Sequence, residues 1–264
     1  MPFVVQGNFR LYYEDSGEPK PAVVFLHGAG GNHLSWWQQV PAFAADYRCI
    51  TVDQRSFGYS PDLPNGPGCT ALADDLLALL DHLALDQVAV VAQSMGGWAA
   101  VRAAVQQPQR FWAIVLANTV GNLTDPEIAA LRQTLQATRP PRPPVLWQGA
   151  LGATFQKRDP FRTFLYAQIS GLNPPRPVAF REQLFQLTTP VARYDATGIP
   201  TLFITSDEDI LIWPELSELV QSKVAHSRLW RVPEAGHSVY FEQPELFNRE
   251  VMAFLRTYCP QAQK

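Results

Sequence analysis

Short, largely apolar runs alternate with helical apolar patterns along most of the chain. The apolar runs are Ala22–Leu26, Ile50–Val52, Val88–Ala92, Ala113–Ala117, Thr201–Thr205 and Arg228–Val232. Continuous apolar strands are typical of a parallel sheet that is covered on both faces. Apolar residues recur at helical spacing in Ala71–Leu83, Met95–Val105, Glu215–Val224 and Pro244–Tyr258. The alternation predicts an α/β fold with a mostly parallel, doubly wound central sheet flanked by helices.

The amino-terminal pattern is different. The runs Phe3–Gln6 and Phe9–Tyr13 are separated by the turn dipeptide Gly7-Asn8. Two short apolar runs around such a dipeptide predict a β-hairpin. We therefore expect the chain to open with two antiparallel strands before the parallel part of the sheet begins.

Residues 121–195 break the alternation, because they contain no good parallel strand. Ten of the 23 prolines lie between Pro126 and Pro190, where they would begin or end short helices. Helical patterns occur between them at Pro126–Ala137, Phe161–Ile169 and Val178–Leu187. The sequence therefore predicts an α/β core at residues 1–120 and 196–264, with residues 121–195 inserted as a helical cap.

Charge and cysteine content exclude several classes of protein. The chain has 264 residues and a net charge of −3, which provides no basic footprint for nucleic acid. No basic region is followed by a long apolar run at the amino end, and no stretch reaches membrane-spanning length. Cys49, Cys69 and Cys259 lack zinc-site spacing. We expect a cytoplasmic protein without metal, cofactor, nucleic-acid or membrane partner, and the oligomeric state stays open.

The strongest chemical signal is the serine in Val91-Ala92-Gln93-Ser94-Met95-Gly96-Gly97. This segment follows an apolar strand and opens a helix, as a nucleophile elbow requires. Small residues two positions before and after the serine, Ala92 and Gly96, allow the strand and helix backbones to approach closely. The helix amino terminus also favours negative charge near Ser94. Ser94 is the predicted nucleophile.

A glycine-rich loop, Leu26-His27-Gly28-Ala29-Gly30-Gly31, follows the first parallel strand. Such a loop can direct a backbone N–H toward the serine. The N–H groups of Ala29 and Met95 are therefore the predicted donors of an oxyanion hole. A phosphate-binding loop is the alternative reading of the glycines, but neither of the two common phosphate-loop patterns is present.

A serine nucleophile needs a base, and the base needs a carboxylate that orients it. His237, in Glu234-Ala235-Gly236-His237-Ser238, follows the last strand and is the predicted base. Three acids compete in the loop after the fifth parallel strand. We favour Asp209, because the apolar residues after it would hold it inward, whereas Asp207 and Glu208 look like exposed turn residues.

The order Ser94, Asp209, His237 resembles that of the α/β-hydrolase superfamily with an inserted helical cap. The resemblance covers nearly the whole chain and includes His27-Gly28, the loop Asp53-Gln-Arg-Ser-Phe-Gly-Tyr-Ser60 and Gly236-His237. Family members usually have glycine where this chain has Ser56 and Ala92. Asp53 and Arg55 are interpreted as parts of the scaffold.

The resemblance implies a serine hydrolase that cleaves a small, largely apolar carboxylic ester or lactone through an acyl-enzyme. The alternatives left open are hydrolysis of a C–C bond in a diketone, a cofactor-free perhydrolase and a ligand receptor on the same fold. Residues 121–195 carry nine basic and five acidic side chains, so the cap could favour a carboxylate-bearing substrate or be an ordinary solvated surface. Further candidates for substrate contacts are Gln93, Trp147, Trp213 and Ser238.

Overall fold

The computed structural model describes residues 2–141, 146–176 and 180–260. Strands in these ranges lie close to the predicted apolar runs. They are β1 Phe3–Gln6, β2 Phe9–Asp15, β3 Ala22–Leu26, β4 Arg48–Val52, β5 Val88–Gln93, β6 Phe111–Ala117, β7 Leu123–Thr124, β8 Thr189–Pro190, β9 Thr201–Ser206 and β10 Ser227–Val232. The boundaries of the core strands differ from the predicted ones by two residues at most.

Eight of the described strands form one sheet in the order β1-β2-β4-β3-β5-β6-β9-β10. β1 pairs with β2 and β2 with β4 in antiparallel fashion, and the other neighbours are parallel. The side chains of β3, β5 and β6 are buried along their whole length, as expected for strands with helices on both faces. The predicted α/β fold and amino-terminal hairpin are confirmed.

Helices cover both faces of the sheet. Those described are α1 Val40–Phe43, α2 Leu72–His82, α3 Gly96–Gln106, α4 Pro126–Thr138, α5 Leu146–Ala150, α6 Ala153–Arg158, α7 Pro160–Gly171, α8 Phe180–Gln186, α9 Val191–Asp195, α10 Pro214–Ser222, α11 Val239–Glu242 and α12 Pro244–Tyr258. Five of the described helices have proline in the first turn, namely α1, α4, α7, α10 and α12. Among the described residues, no helix combines the length and apolarity needed to cross a membrane.

The segment between β6 and β9 is mainly helical, but it is not free of strands. β7 and β8 pair in parallel at its two ends, with Leu123 opposite Thr189, so the expectation of no parallel strand here is wrong in this detail. Two-residue strands leave no periodic pattern in a sequence. Helices α5 and α6 are also too short to produce a clear periodic pattern, and the sequence did not predict them. Residues 178 and 179 of the predicted helix Val178–Leu187 lie outside the described residues.

The loop after β4 is held by buried charges. Asp53 accepts N–H bonds from His33 and Tyr59 at 2.6 and 2.8 Å, and Arg55 bonds to both carboxylate oxygens of Asp75 at 2.6 and 2.7 Å. These contacts agree with a scaffold role for Asp53 and Arg55. Ser56, which replaces a glycine of the family pattern, keeps the glycine-like backbone with φ of 74°. Its buried hydroxyl has no hydrogen-bond partner among the residues that the structure describes.

Replacing Ser56 by glycine should stabilise the protein. Ser56→Gly relieves the left-handed strain and removes the unpaired hydroxyl, and these gains exceed the chain entropy of glycine, for a net gain of about 1 kcal/mol in urea unfolding. Ala84→Gly is the matched control, because Ala84 has φ of 51° but no buried polar group. A Ser56→Gly stability at or below that of Ala84→Gly would contradict the prediction.

Candidate active site

Ser94 lies at the sharp turn between β5 and α3. Its φ of 48° is unusual for a residue other than glycine, and its side chain is half-buried in an otherwise buried segment. Gly96 makes the turn possible, because a Cβ there would collide with the backbone oxygen of Leu26 and lie 2.8 Å from its Cβ. The backbone therefore presents the Ser94 hydroxyl at the carboxyl edge of the sheet, with the amino terminus of α3 directly behind it.

The loop after β3 lies against Ser94. A Cβ on Gly28 would be 2.9 Å from the Cβ of Ser94 and would overlap the Gln93 side chain, so only glycine permits this approach. Within the described part of the chain, no hydrogen bond is formed by the N–H groups of Ala29 and Met95. Neither N–H group is therefore engaged by another described residue, which is the state that an oxyanion hole requires of its donors.

His27 fixes this loop as a neutral side chain. Its Nε2 accepts the N–H of Gln54 at 3.0 Å, while Nδ1 lies 2.7 Å from the carbonyl oxygen of Gly28. Burial lowers the pKa of His27 to about 4, because the protonated ring would lose its hydration. The ring therefore ties the Gly28 loop to the loop after β4 without adding charge near Ser94.

Three side chains form a continuous hydrogen-bonded chain. His237 Nε2 lies 2.7 Å from Ser94 Oγ, and His237 Nδ1 lies 3.0 and 2.9 Å from the two carboxylate oxygens of Asp209. His237 and Asp209 are 4% and 2% exposed. Because Nδ1 faces a carboxylate, it carries the proton, and the lone pair of Nε2 points at the serine hydroxyl. This geometry can remove the proton of Ser94.

The Asp209 carboxylate is oriented by its own loop. Oδ1 accepts the N–H groups of Leu211 and Ile212 at 2.8 and 2.9 Å. Residues 211–213 are buried, as the expectation about the apolar residues after Asp209 required, although Ile210 is 44% exposed. Asp207 is exposed and pairs with Arg231. The expectation for Glu208 is wrong, because it is half-buried and accepts the N–H of Thr154 at 2.9 Å.

Asn118 is a site residue that the sequence reasoning missed. It is fully buried at the end of β6, and its Nδ2 lies 3.1 Å from Asp209 Oδ2 and 2.8 Å from Ser206 Oγ. Its N–H donates to the carbonyl of Ile204, and its φ is 50°. A polar residue directly after a buried parallel strand was the available signal, since such positions share one edge of the sheet.

The four residues expected to contact substrate are placed differently. Gln93 donates its amide to the His237 carbonyl at 2.9 Å, and the Ser238 hydroxyl lies 3.0 Å from the Tyr166 hydroxyl. Both side chains are buried and hydrogen-bonded within the protein, and their contact with substrate stays a prediction. Trp213 lines a cavity of about 20 Å³, which has room for roughly one water molecule. The side chain of Trp147 lies outside the described part of the structure.

Some basic side chains of residues 121–195 form ion pairs, and others bond to neutral groups. Arg162 and Arg139 pair with Asp159 and Glu215. Arg132 and Arg176 bond to neutral oxygens instead, and Arg176 donates to the Ala29 carbonyl at 2.8 Å. Burial lowers the pKa of Arg132 and Arg176. Of the remaining basic residues, Arg142 and the side chain of Arg181 lie outside the described residues. In the ranges described, no cluster of three His, Cys, Asp or Glu could hold a metal ion.

The chain is similar to known proteins over most of its length. A family model described as the alpha/beta hydrolase fold matches residues 21–244. BpoC of Mycobacterium tuberculosis, named as a non-heme bromoperoxidase, is 30% identical over 93% of this chain and 97% of its own length. The 3-oxoadipate enol-lactonase 2 of Acinetobacter baylyi is 28% identical over 94% of both chains. A thermophilic esterase from Thermogutta terrifontis superimposes with a TM-score of 0.80 at 26% identity, covering 95% of this chain and 94% of the esterase.

Removing the Asn118 side chain should slow the chemistry of Ser94. Asn118→Gly keeps the positive φ but takes a hydrogen bond from Asp209, so we expect Ser94 to react with a fluorophosphonate roughly 10- to 100-fold more slowly. Asn122→Gly is the matched control, since Asn122 has φ of 53° and its Nδ2 bonds to the carbonyls of Phe185 and Leu187. Mass spectrometry of the labelled protein measures both rates, and equal rates for the two variants would contradict the prediction.

Proposed function

This chain belongs to the family of enzymes with the alpha/beta hydrolase fold, and we propose that it hydrolyses a small, largely apolar carboxylic ester or lactone through an acyl-enzyme. One observation carries the proposal: the unbroken chain of hydrogen bonds from Ser94 through His237 to Asp209. Free N–H groups beside the serine add the second requirement of acyl transfer, a place for the oxyanion. We assign Ser94 as nucleophile, His237 as base, Asp209 as its orienting acid, and Ala29 and Met95 as oxyanion donors.

The proposed reaction has two halves. Ser94 Oγ attacks the substrate carbonyl while His237 Nε2 takes the serine proton, and the carbonyl oxygen becomes an oxyanion facing the N–H groups of Ala29 and Met95. Collapse expels the alcohol, or opens the lactone ring, as His237 returns the proton to the leaving oxygen. Water then attacks the acyl-serine with the same base, which releases the acid and restores Ser94.

The relatives support this class of substrate without fixing the compound. One is named as an enol-lactonase and one structural neighbour as an esterase, and both names describe attack on an ester-type carbonyl. We further propose that residues 121–195 act as the helical cap over the site. Arg132 and Arg176 bond to neutral oxygens and have no carboxylate partner among the described residues, so an acidic substrate is worth including beside neutral ones in any screen.

Ser94→Ala provides the direct test. Hydrolysis of a short-chain nitrophenyl ester and of a small lactone should fall by about five to six orders of magnitude, because no other group can form the acyl intermediate. Ser222→Ala, at an exposed serine, is the control and should keep wild-type rates. Unchanged turnover by Ser94→Ala would disprove the assignment, and wild-type turnover of a vinylogous diketone but of no ester would favour C–C bond hydrolysis instead.

Perhydrolysis is a second candidate activity, which the similarity to a protein named as a non-heme bromoperoxidase favours. Here hydrogen peroxide replaces water in the second half-reaction, so that the acyl-serine is converted to a peracid and free Ser94. If this activity is present, peracid should accumulate when an ester or carboxylic acid and hydrogen peroxide are supplied together. The Ser94→Ala variant should then lose peracid formation and ester hydrolysis in parallel, whereas loss of only one would argue against a shared acyl-enzyme.

A further inference from the structure

A second buried carboxylate, Glu242, lies beside the base but outside the chain of Ser94, His237 and Asp209. It ends α11 and is 2% exposed. Its oxygens accept three backbone N–H groups: Oε2 from Gly236 at 2.9 Å and from Gly152 at 3.1 Å, and Oε1 from Ser238 at 3.2 Å. These three N–H bonds stabilise the buried carboxylate. Without them, burying its negative charge would cost a large free energy.

Two of these donors are the residues on either side of His237. The bonds to Gly236 and Ser238 thus fix the backbone at both edges of the base, five residues before Glu242 in the chain. The N–H of Glu242 returns to the Ser238 carbonyl at 2.9 Å, so the loop and the acid form one closed turn. The orientation of the His237 ring therefore depends on where this carboxylate lies.

The third donor belongs to a distant part of the chain. Gly152 connects α5 and α6 within residues 121–195, 90 residues before Glu242. The two glycine backbones touch: a Cβ on Gly152 would lie 2.8 Å from the nitrogen of Gly236, and one on Gly236 would lie 2.6 Å from the carbonyl carbon of Leu151. This approach allows a single oxygen of Glu242 to accept an N–H from both segments.

The groups around Glu242 have opposing effects on the pKa of its carboxyl group. Burial and the nearby charge of Asp209 raise the pKa of Glu242 to about 7, although the three N–H groups favour the ionised form. Glu208 lies at the same junction, since it would also contact a side chain at Gly152. The buried hydroxyl of Tyr166 is close enough to interact electrostatically with Glu242, and Tyr166 in turn is hydrogen-bonded with Tyr240. On the outer side, Glu242 borders a groove whose charged lining residues are Arg158, Arg162, Glu234, Glu245 and Arg249.

We propose that Glu242 is a positioning residue that joins residues 121–195 to the base, so that His237 is correctly placed only when Gly152 is seated on Gly236. The inference rests on the proposed function for its kinetic consequence, but the junction itself can be tested without turnover. A substrate that displaces the α5–α6 connection would then move His237 through the Glu242 carboxylate. A substrate that holds this connection against Gly236 would keep His237 in its catalytic position.

Glu242→Gln is the informative change. The amide keeps the size of the side chain but has one acceptor oxygen and an NH₂ group, which cannot accept an N–H bond. We expect kcat to fall roughly 10- to 100-fold with KM changed less than threefold, because a small displacement of the base affects the reacting geometry and not the binding surface. Glu245→Gln, at the exposed first turn of α12, is the matched control and should behave as wild type.

Hydrogen exchange tests the junction independently of any substrate. In Glu242→Gln, amide exchange should accelerate both around residue 152 and around residues 236–238, whereas Glu245→Gln should change neither region. A double-mutant cycle with Gly152→Ala adds a kinetic test, because two changes to one junction should be strongly non-additive in kcat. Additive losses, or faster exchange in only one of the two regions, would overturn the proposal while leaving the assignment of Ser94 intact.

The pH dependence of stability separates a buried acid from simple packing. Because the pKa of Glu242 is raised in the folded state, the folded protein takes up this proton more readily than the unfolded chain between about pH 4.5 and 7. The contribution of Glu242 to stability is therefore full below this window and is lost as the pH rises through it. The Tm of wild type minus that of Glu242→Gln should fall between pH 5 and 7.5, and a constant difference would contradict a buried, titrating carboxylate.

Discussion

The close approach of backbones at the carboxyl edge of the sheet is the constraint on which the site depends. Gly28, Gly96 and Gly236 each stand where a Cβ would overlap another segment, and each brings one loop into contact with the next. Parallel strands bring the ends of β3, β5, β9 and β10 to the same edge, but a side-chain layer between the loops would hold them apart. With that layer absent, the polar groups of the loops after β5, β9 and β10 meet within hydrogen-bond distance, and the loop after β3 packs directly against Ser94.

Close packing of this kind limits the access of water, so a charged group buried at the edge needs partners within the protein. Asp209 is satisfied by two N–H groups, the Asn118 amide and His237. His27 avoids the problem by remaining neutral. The same exclusion of water makes a positioned N–H group effective toward a developing oxyanion, because no solvent competes for it. Tight backbone contact thus supports both the stability of the edge and its chemistry.

The sequence was sufficient to predict features that depend on residues close together in the chain. The strand–turn–helix pattern around Ser94 and the placement of His237 and Asp209 after strands are short-range signals, and the structure brings these three side chains together. Asn118 and Glu242 carried weaker signals, a polar residue after one strand and a lone acid after an apolar run. For both residues the decisive partner is remote in the chain: Asp209 lies 91 residues from Asn118, and Gly152 lies 90 residues from Glu242, although Glu242 also bonds to the nearby Gly236 and Ser238.

By itself, the sequence determined the strands of the main sheet, the longer helices between them and the residue types at each strand end, because hydrophobic periodicity and turn chemistry act over a few residues. It also predicted short helices between β6 and β9 from the prolines of that region, and the structure has helices there. Only the tertiary structure decided that Glu208 is half-buried against Thr154 and that Gly152 lies on Gly236. Such pairings depend on the register of the sheet and the path of residues 121–195 across its edge, and these are properties of the packed chain as a whole.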